Sequence, residues 1–392
     1  MSAPSAIDLD RIRAETPHCE QLIHFNNAGS ALSPSTVTEM QISHLNLEQE
    51  IGGYEAADRA QAKQARFYSA FAELLNCQPS EIAFLENATR AWHAAFHALE
   101  LKAGDHIITA DMEYASNYLD LLHSAKHRGL ALTTIASDQD GVVDLDALRA
   151  AIRPNTRLVC LTHVPSQRGD IQPAEEVGAI AREHGLWYLL DACQSAGQVV
   201  LDVERIGCDF LCGTGRKYLR GPRGTGFLYA RNSRLQELVP AVVDLHSVQW
   251  ISAGSYSLRP DATRFENWER NVAAMIGLAA AVDYALKIGS EAIERRVRYL
   301  GRLLHDSLAD CHNIIVHERS QNLSGIVTFN RRDMDADDTK RLLNTAGINT
   351  SVSRGMNAQL DLGKKGLDVN RASVHYYNTE AEIERFIAVL NS

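Results

Sequence analysis

Between residues 80 and 230, short apolar runs alternate with longer stretches whose apolar positions recur every three or four residues. Ile82-Ala83-Phe84-Leu85, His106-Ile107-Ile108-Thr109, 130–135, 158–161 and 187–190 have the length and content of buried strands. Phe210-Leu211 and Phe227-Leu228-Tyr229 complete that series. Between the runs, the spacing predicts helices over 89–101, 116–128, 144–153 and 173–184. Strands alternating with helices of this length form a mainly parallel sheet covered on both faces. An α/β domain with seven strands is expected.

The flanks differ. A polar lead with a short helix at 8–15 is followed by a strand at His24-Phe25, which runs into an Asn- and Gly-marked turn at 26–30. The helical pattern over 35–75 breaks at Gly52-Gly53. Beyond about 260 come an alanine-rich helix at 273–288 and a second at 292–309. Strands at 325–329 and 372–376 then alternate with helices at 336–346 and 380–390, forming a smaller C-terminal α+β domain. The expected division is an N-terminal segment packing on the small domain (1–22), a large domain (23–260) and a small domain (261–392).

Composition narrows the function. Of 392 residues, 45% are hydrophobic and 22% charged, as in ordinary soluble domains. A net charge of −10 argues against nucleic acid as the main partner. Seven scattered cysteines do not form a disulfide framework. No apolar run has membrane-spanning length, and the polar first residues lack a signal region. A cytoplasmic enzyme acting on a small molecule is expected, with neither membrane nor nucleic acid as partner.

The chemistry concentrates in Thr214-Gly215-Arg216-Lys217, followed by Gly221-Pro222-Arg223-Gly224-Thr225-Gly226. A lysine buried near cations has a lowered pKa and can form a Schiff base with a carbonyl cofactor. Alone, this stretch is equally well a solvated basic turn. Upstream, the apolar run 187–190 ends in Asp191, at the strand edge where open α/β sheets bind ligands. A lysine for an aldehyde and a carboxylate for a pyridinium nitrogen are what pyridoxal phosphate requires. Asn87-Ala88-Thr89 opens a helix whose free amides suit a phosphate, though a plain cap has the same residues. Thr214 and Arg216 can add to that site, Gln194 can reach the ring's phenolic oxygen, and Tyr114 can stack on the ring. His93 and His97 have metal-ligand spacing but no evident third ligand, so no metal site is expected. Trp92, Trp250 and Trp268 could face a cationic substrate group, with packing the commoner role.

Together with Arg371-Ala372-Ser373-Val374-His375-Tyr376-Tyr377-Asn378-Thr379, these motifs resemble the class V, fold type I pyridoxal-phosphate enzymes. That group includes cysteine desulfurases, isopenicillin N epimerases and the C–S lyases of ergothioneine biosynthesis. The resemblance runs from about residue 20 to the C-terminus. It implies Lys217 as the Schiff-base and proton-moving residue, Asp191 as the pyridinium partner, and Gln194 and Ser166 on the phenolic oxygen. It also implies a phosphate cup of Ala88, Thr89, Thr214 and Arg216, ring stacking or catalysis by Tyr114, and substrate binding by Arg371 with Asn27. A homodimer with its site at the interface follows from the same likeness.

Four departures set this chain apart from desulfurases. Arg216 and Tyr114 stand where histidines are usual, and Glu269 takes the place of a threonine donated across the dimer. The segment 350–370, which in desulfurases carries a nucleophilic cysteine, has none. The likeness is therefore to the C–S lyase branch, acting on a cysteine S-conjugate or sulfoxide of the hercynylcysteine sulfoxide type. Desulfuration or epimerisation of an amino acid is the alternative.

Overall fold

The computed structural model describes residues 7–392. Its centre is a seven-stranded sheet of β1 (Ile82–Leu85), β2 (His106–Ala110), β3 (Ala131–Ile135), β4 (Thr156–Thr162), β5 (Trp187–Asp191), β6 (Phe210–Thr214) and β7 (Gly226–Ala230). The spatial order is β1-β7-β6-β5-β4-β2-β3. Only β7 runs against its neighbours; the other pairings are parallel. Strands buried on both faces need no polar alternation, which is why they are continuous apolar runs. In β5, Tyr188 and Leu190 enter one core and Leu189 the other, as a period of two requires.

The helices follow the periodicity closely, including Ala115–Arg128, Ala174–Glu183 and Glu380–Leu390. The break at Gly52 separates Ser35–Ile51 from Gly53–Arg59, and its φ of 98° lies in the region glycine tolerates best. A second, four-stranded antiparallel sheet builds the smaller domain from Ile314–Val316, Ile326–Arg331, Val369–Ser373 and Ser351–Ser353. The strand expected at 372–376 lies about three residues earlier. Beyond Ser373 the chain leaves the ladder into a turn closed by His375 N–H donating to Asn378 Oδ1. The hairpin Val248–Ser252 with Ser255–Leu258 had no clear apolar signature, because its side chains are mostly exposed.

Packing cuts across the expected limits at 23 and 261. Ile23–His24 pairs with Ile348–Asn349, and Phe25 packs on Phe386 in the small-domain core. Conversely, Val272–Ile288 contributes Met275, Leu278 and Val282 to a core cluster of the large sheet. The N-terminal helix Leu9–Ala14 lies at the junction: Ile12 packs in the cluster that holds Tyr218, Tyr284 and Tyr376.

At the same junction Glu318 is buried, its Oε1 accepting from Gly169 N–H (3.1 Å), Thr328 N–H (2.9 Å) and Thr328 Oγ1 (2.7 Å). Burial above all pushes its carboxyl up to about 7; Asp170 adds to the rise, and the Thr328 hydrogen bond opposes it. The folded protein thus holds a proton that the unfolded chain has released, and stability falls as pH rises from the ordinary carboxylate range through about 7. The loss is on the order of 3 kcal/mol, at 1.36 kcal/mol per pKa unit. Glu318→Gln removes this slope. In urea unfolding, the variant should gain on the parent by about 2–3 kcal/mol between pH 5 and 8.

Candidate active site

Four parallel strands end side by side, at Ala110, Thr162, Asp191 and Thr214. A cavity over these ends is lined by Asn87, Ala88, Thr89, Tyr114, Thr162, Ser166, Asp191, Cys193, Gln194, Thr214, Arg216 and Lys217. Nine of the predicted site residues therefore meet in one place. They come together because carboxyl edges of parallel strands, with the loops that follow, face one side of the sheet.

Lys217 sits just past β6, with its Nζ 5.9 Å from the centroid of the Tyr114 ring. Burial pushes its amine down from the ordinary lysine range; Arg216 and Arg371 act the same way, against Cys193 and Asp191. A lysine so placed is a neutral nucleophile and base at lower pH than a surface lysine. Asp191 accepts from Cys193 N–H (2.8 Å) and Asn117 Nδ2 (2.7 Å), which fix its orientation. Gln194 donates to Ala28 O (3.1 Å) and leaves its buried Oε1 without a protein partner.

At the other end of the cavity stands the N-terminus of helix Ala88–His97. The Asn87 side chain takes Arg90 N–H (2.9 Å), while the amides of Ala88 and Thr89 have no earlier helical carbonyl to meet. Gly226, at the start of β7, packs so tightly here that a Cβ would lie 2.5 Å from the Asn87 carbonyl carbon. Thr214 donates its hydroxyl to Thr225 O (3.1 Å), and Arg216 donates to Gly29 O. Amides, hydroxyls and a guanidinium around one end suit an anion.

Arg371 enters from the small sheet, where it pairs with Thr328. Its Nη1 donates to Ser166 O (2.9 Å), its Nη2 lies 3.5 Å from Asn26 Oδ1, and its buried Nε has no partner. Burial chiefly draws its pKa down to about 10, with Arg216 adding to the fall. A free fork edge beside a second guanidinium fits a carboxylate.

Asn27 is not part of this arrangement. It is fully buried, its Nδ2 donating to His24 O and Ser373 O, while its Oδ1 accepts the Tyr377 hydroxyl. The neighbouring Asn26 approaches Arg371 instead, because consecutive residues leaving a strand face opposite ways. Sequence reasoning also passed over Glu113, Asn117 and Thr162. Glu113 and Asn117 have the i, i+4 spacing of partners on a helix face, which was the available signal. His93 and His97 share Asp120, at 3.5 and 2.9 Å. Trp92 is core, while Trp250 and Trp268 are exposed. In 264–271, Arg270 is engaged by buried Glu266.

The family model for aminotransferase class-V matches residues 23–386. The chain belongs to that family. It is 32% identical, over 95% of both chains, to a probable cysteine desulfurase of Methanothermobacter thermautotrophicus. The apo structure of a cysteine desulfurase from Thermococcus onnurineus superposes with a TM-score of 0.91 at 28% identity, covering 99% and 98% of the two chains. The cystine C–S lyase C-DES, solved with its product cysteine persulfide, superposes at 0.86 and 24% identity, over 96% and 98%, and so shares the fold. A second C-DES structure carries glycine linked to its PLP cofactor.

The protein is thus a PLP-dependent enzyme of carbon–sulfur chemistry on the fold type I scaffold. The cavity fits that cofactor: an unpartnered acceptor at Gln194, a hydrogen-bonded carboxyl group at Asp191, an amine of lowered basicity, and an anion cradle at the helix end. No single helix among the described residues is long and apolar enough to cross a membrane.

Proposed function

We propose that this enzyme breaks the carbon–sulfur bond of a cysteine-derived amino acid. The convergence of Lys217, Asp191 and the helix Ala88–His97 on one cavity, with Arg371 donating to the carbonyl of Ser166 on its wall, supports the reading. Bound PLP supplies an electron sink for charge developing at the substrate's α-carbon. Asp191 would meet the ring nitrogen, Gln194 and Ser166 would take the phenolic side, and Ala88, Thr89, Thr214 and Arg216 would hold the phosphate. Tyr114 would cover the ring. Arg371 grips the substrate carboxylate, and the Lys217 amine removes and returns the α-proton.

Two fates for the sulfur follow from different observations. The names of the relatives favour desulfuration of cysteine to alanine. The absence of any cysteine in 350–370 favours β-elimination, in which the Cβ–S electron pair leaves with the sulfur. Water then converts the remaining dehydroamino acid to pyruvate and ammonia. S-Conjugated cysteines and their sulfoxides, hercynylcysteine sulfoxide among them, are the substrates that this second fate would take.

Product analysis separates the two. Incubated with cysteine and a reducing thiol, a desulfurase releases sulfide and alanine in equal amounts. With an S-substituted cysteine sulfoxide, a lyase releases pyruvate and ammonia and no alanine. Neither product set, from a protein saturated with PLP, would defeat the proposal. We also propose a homodimer, since Trp250, Ile251, Trp268, Val242 and Leu245 leave large apolar surface exposed. Light scattering at micromolar concentration should give twice the chain mass.

A further inference from the structure

Beneath the cavity lies a chain of buried polar groups that none of the roles above uses. Glu113, 4% exposed, precedes helix Ala115–Arg128. Its Oε1 accepts from Tyr114 N–H (2.9 Å), Asn117 Nδ2 (3.0 Å) and Thr162 Oγ1 (2.5 Å), and its Oε2 from Thr109 Oγ1 (2.9 Å). Asn117, 2% exposed, donates from the same nitrogen to Asp191 Oδ2 at 2.7 Å. One primary amide therefore serves two carboxylates, a hydrogen for each.

That arrangement has one sensible orientation. Both neighbours accept only, when ionised, so the amide must present its NH₂ to them rather than its oxygen. Two acceptors specify the flip better than one. Without Glu113, the amide could turn its oxygen toward Asp191, replacing a donor with an acceptor and loosening the carboxylate's alignment. Glu113 also holds the backbone of Tyr114 and the hydroxyl of Thr162, both on the cavity wall.

We propose that Glu113, acting through Asn117, is the positioning residue that keeps Asp191 aligned and Tyr114 in place for the cofactor ring. The inference rests on the function proposed above, in which Asp191 meets the ring nitrogen. Burial, then repulsion from Asp191, pushes the Glu113 carboxyl upward; hydrogen bonds from Thr162, Asn117 and Tyr114 N–H pull it back. An acceptor at Oε1 is what the role demands, and a glutamine can supply it.

The test uses full-length holoprotein and three variants: Asn117→Ala, Glu113→Gln and Glu113→Leu. Readouts are the absorption maximum of bound PLP, the dissociation constant for PLP titrated into cofactor-free protein, the thermal midpoint, and kcat and KM separately. Asn117→Ala should shift the absorption maximum, weaken PLP binding and lower kcat about 10- to 100-fold, the scale on which outer partners of a site act, with KM changed less. Glu113→Gln should restore most of what Glu113→Leu loses. If Glu113→Leu fails to fold, the Asn117→Ala and Glu113→Gln pair decides. An Asn117→Ala protein that is less heat-stable, yet unchanged in absorption maximum, PLP affinity and kcat, overturns the inference while leaving the proposed function intact. A parent that stays colourless with added PLP overturns both.

Discussion

Lys217→Ala is expected to abolish turnover while leaving the protein folded. The loss should exceed the roughly 10²–10⁴-fold contributed by a positioned acid–base group alone, because the same amine also attaches the cofactor. Treatment of the parent with PLP and borohydride, followed by peptide mass analysis, should place the label on Lys217. The variant should carry no label there. Stability is the informative control. Burial disfavours the charge on Lys217, and two guanidiniums nearby disfavour it further. Removing the amine relieves that cost, so the cofactor-free variant should melt at or above the temperature of the cofactor-free parent. Retained labelling at another lysine, or turnover within tenfold of the parent, would show that Lys217 is not the attachment point.

The large domain was legible because its constraints are local and repetitive. A strand such as β5 is apolar at each of Trp187, Tyr188, Leu189 and Leu190, since both sheet faces are covered. Helices were found through their apolar spacing, and the start of one through Asn87. What escaped was set by distant partners. Val272–Ile288 carries apolar positions all round, which marks it as buried but does not say in which domain; packing against helices Ser35–Ile51 and Gln61–Leu75 decides that. Likewise, the short strand at Ile23–His24 was expected, but its pairing with Ile348–Asn349 was not.

The site divides along the same line. Lys217, Asp191, Thr214 and Ala88 sit at the ends of regular elements, where chemistry and punctuation coincide in sequence. Asn26 and Asn27 show the limit. Two adjacent asparagines in a turn have equal chemistry, and only the fold sends one toward Arg371 and locks the other among His24, Ser373 and Tyr377. Glu113 was hidden for a related reason: a charged residue before a helix resembles a favourable N-terminal acid, and nothing local says it is buried.

Arg371 offers the second large effect, and it separates binding from chemistry. With the guanidinium gone, the substrate carboxylate would lie against an unpaired cavity wall. Truncating one partner of a buried charge pair costs about 2–5 kcal/mol, or roughly 30- to several-thousand-fold. Arg371→Leu should therefore raise KM for cysteine or an S-substituted cysteine by at least about 30-fold, with a smaller fall in kcat. Competition by cysteamine, which keeps amine and sulfur but lacks the carboxylate, should be nearly unchanged. Arg371→Lys should recover only part of the loss, because an ammonium keeps the charge but cannot offer a planar fork once one edge is committed to Ser166 O. Arg216 provides the internal control. It lies close enough to help lower the pKa of Arg371, yet it is assigned to the phosphate end, so Arg216→Leu should weaken PLP retention more than it raises KM. An Arg371→Leu protein with equal losses for cysteine and cysteamine would place this guanidinium in the scaffold rather than on the substrate.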